Sequence, residues 1–187
     1  MKGQCLCRFA AGSMPPPLFD ASIPVFLRYL DRLSGLVRTA EEWTQAQHGS
    51  PQTLLAARLA PDMLPFERQV VIATNFTLRA SYPLAGEPIP PYGEFPETIA
   101  GLHARADRAV KLLKALEPAQ FLGAESRIVE SQAGEALVRL PGSEFLFQYA
   151  LPNFFFHVTA AYAVLRSQGV PLGKADYDGF HAYTRKP

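Results

Sequence analysis

Ile99, Leu102, Ala106, Ala109, Leu113 and Leu116 alternate steps of three and four residues, a spacing that no β-strand can gather on one face. A helix gathers all six into one stripe, and the regular alternation favours the shallow crossing angles of a helical bundle. Pro96 suits the first turn of this helix and Pro118 stops it. Three other stretches carry comparable stripes. The first runs from about Ser22 to Gln47, with Phe26, Leu30, Leu33, Val37, Ala40 and Trp43 inward. Ser22 is its expected N-cap, and Pro24 falls in the first turn, where a missing N–H costs nothing. His48-Gly49-Ser50-Pro51 ends it and opens a short helix through Arg58. The second long helix is expected from Asp62, as N-cap, with Pro65 in its first turn and Phe66, Val70, Ala73, Thr77, Ala80 and Leu84 inward.

Between Arg127 and Leu140 the period changes. Ile128-Val-Glu-Ser and Ala136-Leu-Val-Arg-Leu140 read as two short strands around a loop containing glycine. A lone hairpin is not stable in water, so it is expected to pack on the bundle. The last helix follows from about Ser143 to Gln168, with a kink at Pro152 and Gly169 at its C-terminus. The prediction is therefore a mainly all-α four-helix bundle with a small hairpin inserted before the last helix. One domain is expected over residues 18–180, with a disordered extension at 1–17 and a flexible C-terminus at 181–187. Between Gly169 and the frayed end the chain is expected to form an ordered strap.

Composition narrows the function classes. The 187 residues carry 18 basic and 17 acidic side chains, a formal charge of +1, so neither nucleic acid nor an anionic membrane has an electrostatic footprint to bind. No apolar run approaches the roughly 20 residues of a membrane span. Residues 1–13 carry Arg8 among few apolar side chains and do not read as a signal peptide, which leaves a cytoplasmic location as the default expectation. Cys5 and Cys7 lie in this segment without the second pair of a structural zinc site, so reduced thiols in a tail are expected there.

The chemistry begins with absences: there is no phosphate loop, nucleophile elbow, His-Glu-x-x-His or dinucleotide fingerprint. Of the four histidines, His48, His103 and His181 sit in polar or terminal settings. His157 instead follows Phe154-Phe155-Phe156 in a helix with no charged residue between Glu144 and Arg166. An imidazole there has two ring nitrogens to satisfy, at about 1–3 kcal/mol for each buried group left unpaired. Asn153, one turn earlier, is the expected partner. Three roles are open to His157: a satisfied polar pair, proton transfer or ligand contact, and metal ligation. The last lacks a second ligand, since Ala161 stands four residues on and the second helix offers only Gln69, Thr74 and Asn75. Asp62, with Arg58 one turn before it, is a further candidate at a pocket mouth. Gln69, Asn75, Tyr92, Tyr162 and Phe154 are candidate ligand contacts. The three consecutive phenylalanines cannot all face one core, which leaves apolar surface for a ligand or for a homodimer.

Ala57-Arg-Leu-Ala-Pro-Asp-Met63, Arg68-Gln-Val70, Leu151-Pro-Asn-Phe-Phe-Phe-His-Val-Thr-Ala-Ala-Tyr162 and Gly169-Val-Pro-Leu-Gly-Lys-Ala-Asp-Tyr177 occur in this order. Together they resemble domain-of-unknown-function family 1993, over roughly Leu18 to Gly179. That family resembles the DinB-like superfamily of four-helix bundles. The resemblance implies the bundle fold. It also implies a comparison with bundles that hold a divalent metal through three histidines, some of them thiol transferases. Those bundles place one histidine on the second helix and two, spaced by four, on the last. Only His157 matches that motif here.

The leading expectation is thus a metal-independent, cofactor-free bundle binding a small apolar molecule. It would act as an acid–base enzyme of the isomerase or cyclase type, with His157 moving the proton, Asn153 orienting it, and Asp62 and Gln69 as polar contacts. The alternatives are a degenerate DinB-like metal-dependent transferase and a non-catalytic dimeric scaffold.

Overall fold

The computed structural model describes residues 17–181. The expectations for Cys5, Cys7, residues 1–16 and residues 182–187 lie outside them. Four long helices pack as a bundle: α1 (Leu18–Ala46), α3 (Phe66–Leu84), α4 (Ile99–Lys114) and a last helix over 142–167. Between α1 and α3 lies a short helix, α2 (Pro51–Leu55). The last helix has three parts: α5 (Gly142–Glu144), a π-helical stretch (Phe145–Ala150) and α6 (Leu151–Ser167). Contacts run from α1 to α4, α4 to α3, α3 to α6 and α6 back to α1, so the four enclose one core. Phe26, Phe66, Phe145 and Phe154 are its largest fully buried side chains. Each contributes about 1.5–3 kcal/mol of burial.

The stripe on α4 is buried throughout, as its spacing predicts. Two helix starts differ from expectation. α1 begins at Leu18 rather than after Ser22, because Leu18 is buried and Phe19 meets Phe121 edge to face at 5.3 Å. That packing outweighs the irregularity of Pro24 inside the helix. Ser22 is no cap: it is fully buried and donates to the Leu18 carbonyl one turn back. α3 begins after Pro65, whose extended backbone places the start beyond the turn that holds Asp62. Asp62 is therefore exposed in that turn and caps nothing. Arg58 bonds the Met63 carbonyl instead (3.1 Å).

At the other end of α3 the Leu84 carbonyl, which has no intrahelical donor, accepts from Arg127. The hairpin pairs β1 (Ile128–Ala133) with β2 (Ala136–Pro141) antiparallel across a two-residue turn. Gly134 opens the turn at φ 60°, which a tight hairpin demands of its first position. Val129 and Ser131 face inward and hold the hairpin to α3.

Pro152 disturbs the last helix one turn upstream of itself. It has no N–H for the carbonyl four residues back, and the six residues before α6 widen into the π form. α6 ends in a Schellman arrangement, with Val170 N–H on the Leu165 carbonyl and Gly169 N–H on that of Arg166 (both 3.1 Å). Gly169 takes φ 88° there. The strap is ordered and contains α7 (Lys174–Asp178), which lies on α1. Arg28 clamps it by donating to the Asp178 carbonyl (2.7 Å) and stacking on Phe180 (3.7 Å). No helix among the described residues is long and apolar enough to cross a membrane.

Candidate functional site

His157 projects from α6 toward α3 and is half-buried. Its Nδ1 lies 2.7 Å from Oε1 of Gln69, 88 residues earlier in the chain. Gln69 is 1% exposed, and its Nε2 donates to the Leu64 carbonyl (3.1 Å). That second bond decides the first. A carbonyl only accepts, so the amide nitrogen must face Leu64 and the amide oxygen must face the histidine. Nδ1 therefore carries the proton, and Nε2 holds a lone pair. Burial also lowers the imidazole pKa from its ordinary value, so the ring is neutral near pH 7. The rings of Phe76 (6.1 Å, stacked) and Phe156 (5.1 Å, edge-on) fix its plane.

Asn153 is not the partner. Its Nδ2 bonds the Tyr149 carbonyl (2.7 Å) in the π stretch, so it steadies the backbone that Pro152 disrupts. Phe154 is fully buried between Phe26 (5.0 Å) and Tyr29 (6.4 Å) and has no face left for a ligand. Phe155 packs on Tyr29 at 4.8 Å. Phe156 points outward and is 57% exposed. It borders a groove of about 410 Å³ with Leu59, Met63, Phe155, Thr159, Ala160 and Ala163. His157 does not line that groove but touches one of its walls. Asp62 is exposed in the turn beside Met63, which lines the groove. Tyr162 packs against Tyr177 of the strap (5.8 Å), away from α3. Asn75 accepts from Arg105 (3.0 Å) and ties α3 to α4.

Sequence reasoning passed over Arg79. It is the only charged residue between Arg68 and Glu87, the same isolation that marked out His157. It is half-buried on α3, and its guanidinium lies over the rings of Phe76 (4.9 Å) and Tyr149 (5.9 Å). Nε donates to Ser131 Oγ of the hairpin (2.7 Å) and Nη2 to the Tyr149 hydroxyl (3.1 Å). Burial raises the pKa of the half-buried Tyr92 phenol, with the Arg79 charge pulling the other way. The structure thus brings His157 and Gln69 together, and places a second cluster, around Arg79, against the same Phe76 ring.

A three-histidine metal set does not fit these residues. Ala161, four residues after His157, is fully buried and has no donor. Gln69 spends its amide oxygen on His157 and its nitrogen on Leu64. Among the described residues no group of three His, Cys, Asp or Glu side chains is placed to hold a metal ion.

Residues 18–178 match the family model described as domain of unknown function (DUF1993). The chain is also similar to a solved structure, a DinB family member protein from Shewanella denitrificans. The two are 31% identical, with a TM-score of 0.80 over 90% of this chain and 96% of that one. No curated protein matches the chain.

Proposed function

We propose that this chain, which belongs to the DUF1993 family within the DinB-like superfamily and places no three-histidine metal set among its described residues, works without a metal. In this reading it binds a small, largely apolar molecule and moves a proton on it with His157. The observation that carries the reading is the tautomer imposed by Gln69. A neutral imidazole with its proton held at Nδ1 presents Nε2 as a base. When Nε2 takes a proton from the bound molecule, the Nδ1–H bond to Gln69 strengthens and stabilises the imidazolium. Returning the same proton to another atom of that molecule completes an isomerisation with no cofactor. The groove beside Phe156 has a volume typical of small-molecule sites and an apolar lining to match.

Nitrogen-resolved NMR of the full chain tests the base directly. At neutral pH the His157 Nε2 resonance is expected in the unprotonated range and Nδ1 in the protonated range. The opposite tautomer overturns the proton-transfer role. Titration with cyclohexanone as an apolar probe is expected to shift Phe156, Thr159 and His157 together. A titration that moves none of them overturns the binding role.

Exposed Phe156, Leu59 and Leu64 favour a second reading, self-association through this face as a homodimer. Light scattering that gives the monomer mass at high protein concentration removes it.

A further inference from the structure

The Arg79 cluster is rich in donors and has no anion. Nε and Nη2 are engaged, but both acceptors are neutral hydroxyls. No carboxylate among the described residues pairs with Arg79; the ion pairs lie at Asp31–Arg32, Glu130–Arg139 and Asp178–His181. Nη1 has no acceptor among the described residues. Ser131 Oγ and the Tyr149 hydroxyl each accept from Arg79, so each retains its own proton to donate. Ser131 is 6% exposed, so its hydroxyl sits in a nearly dry corner. A guanidinium held only by hydroxyls and aromatic rings has no counter-ion among the described residues, and an incoming carboxylate would supply one. The aromatic rings of Phe76 and Tyr149 hold the guanidinium plane in place, which suits a planar, two-toothed partner.

We propose that Arg79, Ser131 and Tyr149 form a carboxylate-binding site, with Arg79 taking the two oxygens through its Nη1–Nη2 edge and the hydroxyls adding further donors. Phe76 is the shared neighbour of Arg79 and His157. On the proton-transfer reading, a ligand held by its carboxylate at Arg79 carries an apolar body that reaches toward His157. This names the ligand class as a small carboxylic acid with an apolar chain. The orientation of the chain rests on the proton-transfer reading; the anion contact rests on Arg79 alone.

The test is a titration of the full chain with hexanoate and, separately, with neutral hexanamide, read by NMR at the Arg79 Nε–H and the His157 ring. Hexanoate is expected to shift Arg79 Nε–H, and hexanamide is expected to bind at least tenfold more weakly. Arg79→Gln is expected to weaken hexanoate binding by at least tenfold, and Arg79→Lys to recover only part of it, because an ammonium lacks the paired edge. Tyr149→Phe, which keeps the charge, is expected to weaken it about threefold to tenfold and covers the case in which Arg79→Gln does not fold. Equal binding of the acid and the amide, or hexanoate binding that leaves Arg79 Nε–H unmoved, overturns the site. Shifts at Arg79 without shifts at His157 keep the anion site and overturn the direction of the chain, while the proton-transfer role stands or falls on the tautomer.

Discussion

At the scale of single residues, the Gln69–His157 bond has consequences for stability and for titration. Gln69→Leu keeps the volume but strips the partner from two groups, Nδ1–H and the Leu64 carbonyl. It is expected to cost about 1–3 kcal/mol in urea unfolding. The pH dependence follows from the direction of the His157 shift. Its folded-state pKa lies below the unfolded one, so the unfolded chain takes up the proton first as the pH falls. The His157 contribution is fully present above the ordinary imidazole range, near about 6.5, and declines as the pH drops through that value toward the folded pKa. Melting temperatures of wild type and His157→Gln from pH 7.5 to 5 check this: the wild type is expected to lose more stability on acidification. His157 was recognisable in the sequence because its surroundings are uncharged and aromatic. Gln69 was legible as a polar contact from the second helix but not as the ring's partner: reading along one helix offers Asn153, one turn away, whereas Gln69 comes from another helix.

The helix ends tell a similar story at the scale of elements. The caps chosen by residue type, Ser22 and Asp62, are not caps, while Thr98 is one: it accepts from Gly101 N–H at 3.1 Å and starts α4. Thr98→Ala is expected to cost about 1 kcal/mol, measured by chemical denaturation. Gly142 shows which effect wins when local preference and packing disagree. Alanine gains about 1 kcal/mol over glycine in helix propensity. A Cβ at Gly142, however, would stand 2.0 Å from the Ala124 carbonyl oxygen. Backbone on both sides must then move, at about 1–3 kcal/mol or more. Gly142→Ala is therefore expected to lower the melting temperature, against the propensity scale. The hairpin was legible as a change of period, and its two-residue turn follows from the glycine at its tip. The π stretch was not legible in the same way: Pro152 announces a disturbance, but its form and place depend on how Phe145, Tyr149 and Asn153 are held.

The whole molecule is closed by the strap. Val170 and Leu172 are buried, and Tyr177 joins Tyr29 (5.7 Å) and Tyr162 in an aromatic cluster across α1 and α6. A chain ending at Gly169 loses at least the burial of Val170 and Leu172, about 3–6 kcal/mol. That is a large share of the roughly 5–15 kcal/mol that holds a domain folded. Such a chain is expected to melt far lower and to be cleaved faster by a protease than the full chain. Unchanged melting would mean that the strap is an ornament on a bundle stable without it. What the amino-acid sequence determined by itself was the bundle: its four long helices, their inward faces and the inserted hairpin all follow from periodicity and turn chemistry. Those properties act between residues a few positions apart, so a one-dimensional reading captures them. Tertiary structure alone decided where α1 and α3 begin, which amide orients His157, and which hydroxyls surround Arg79. Each of these pairs groups from different elements, and the outcome depends on packing geometry that no local pattern encodes.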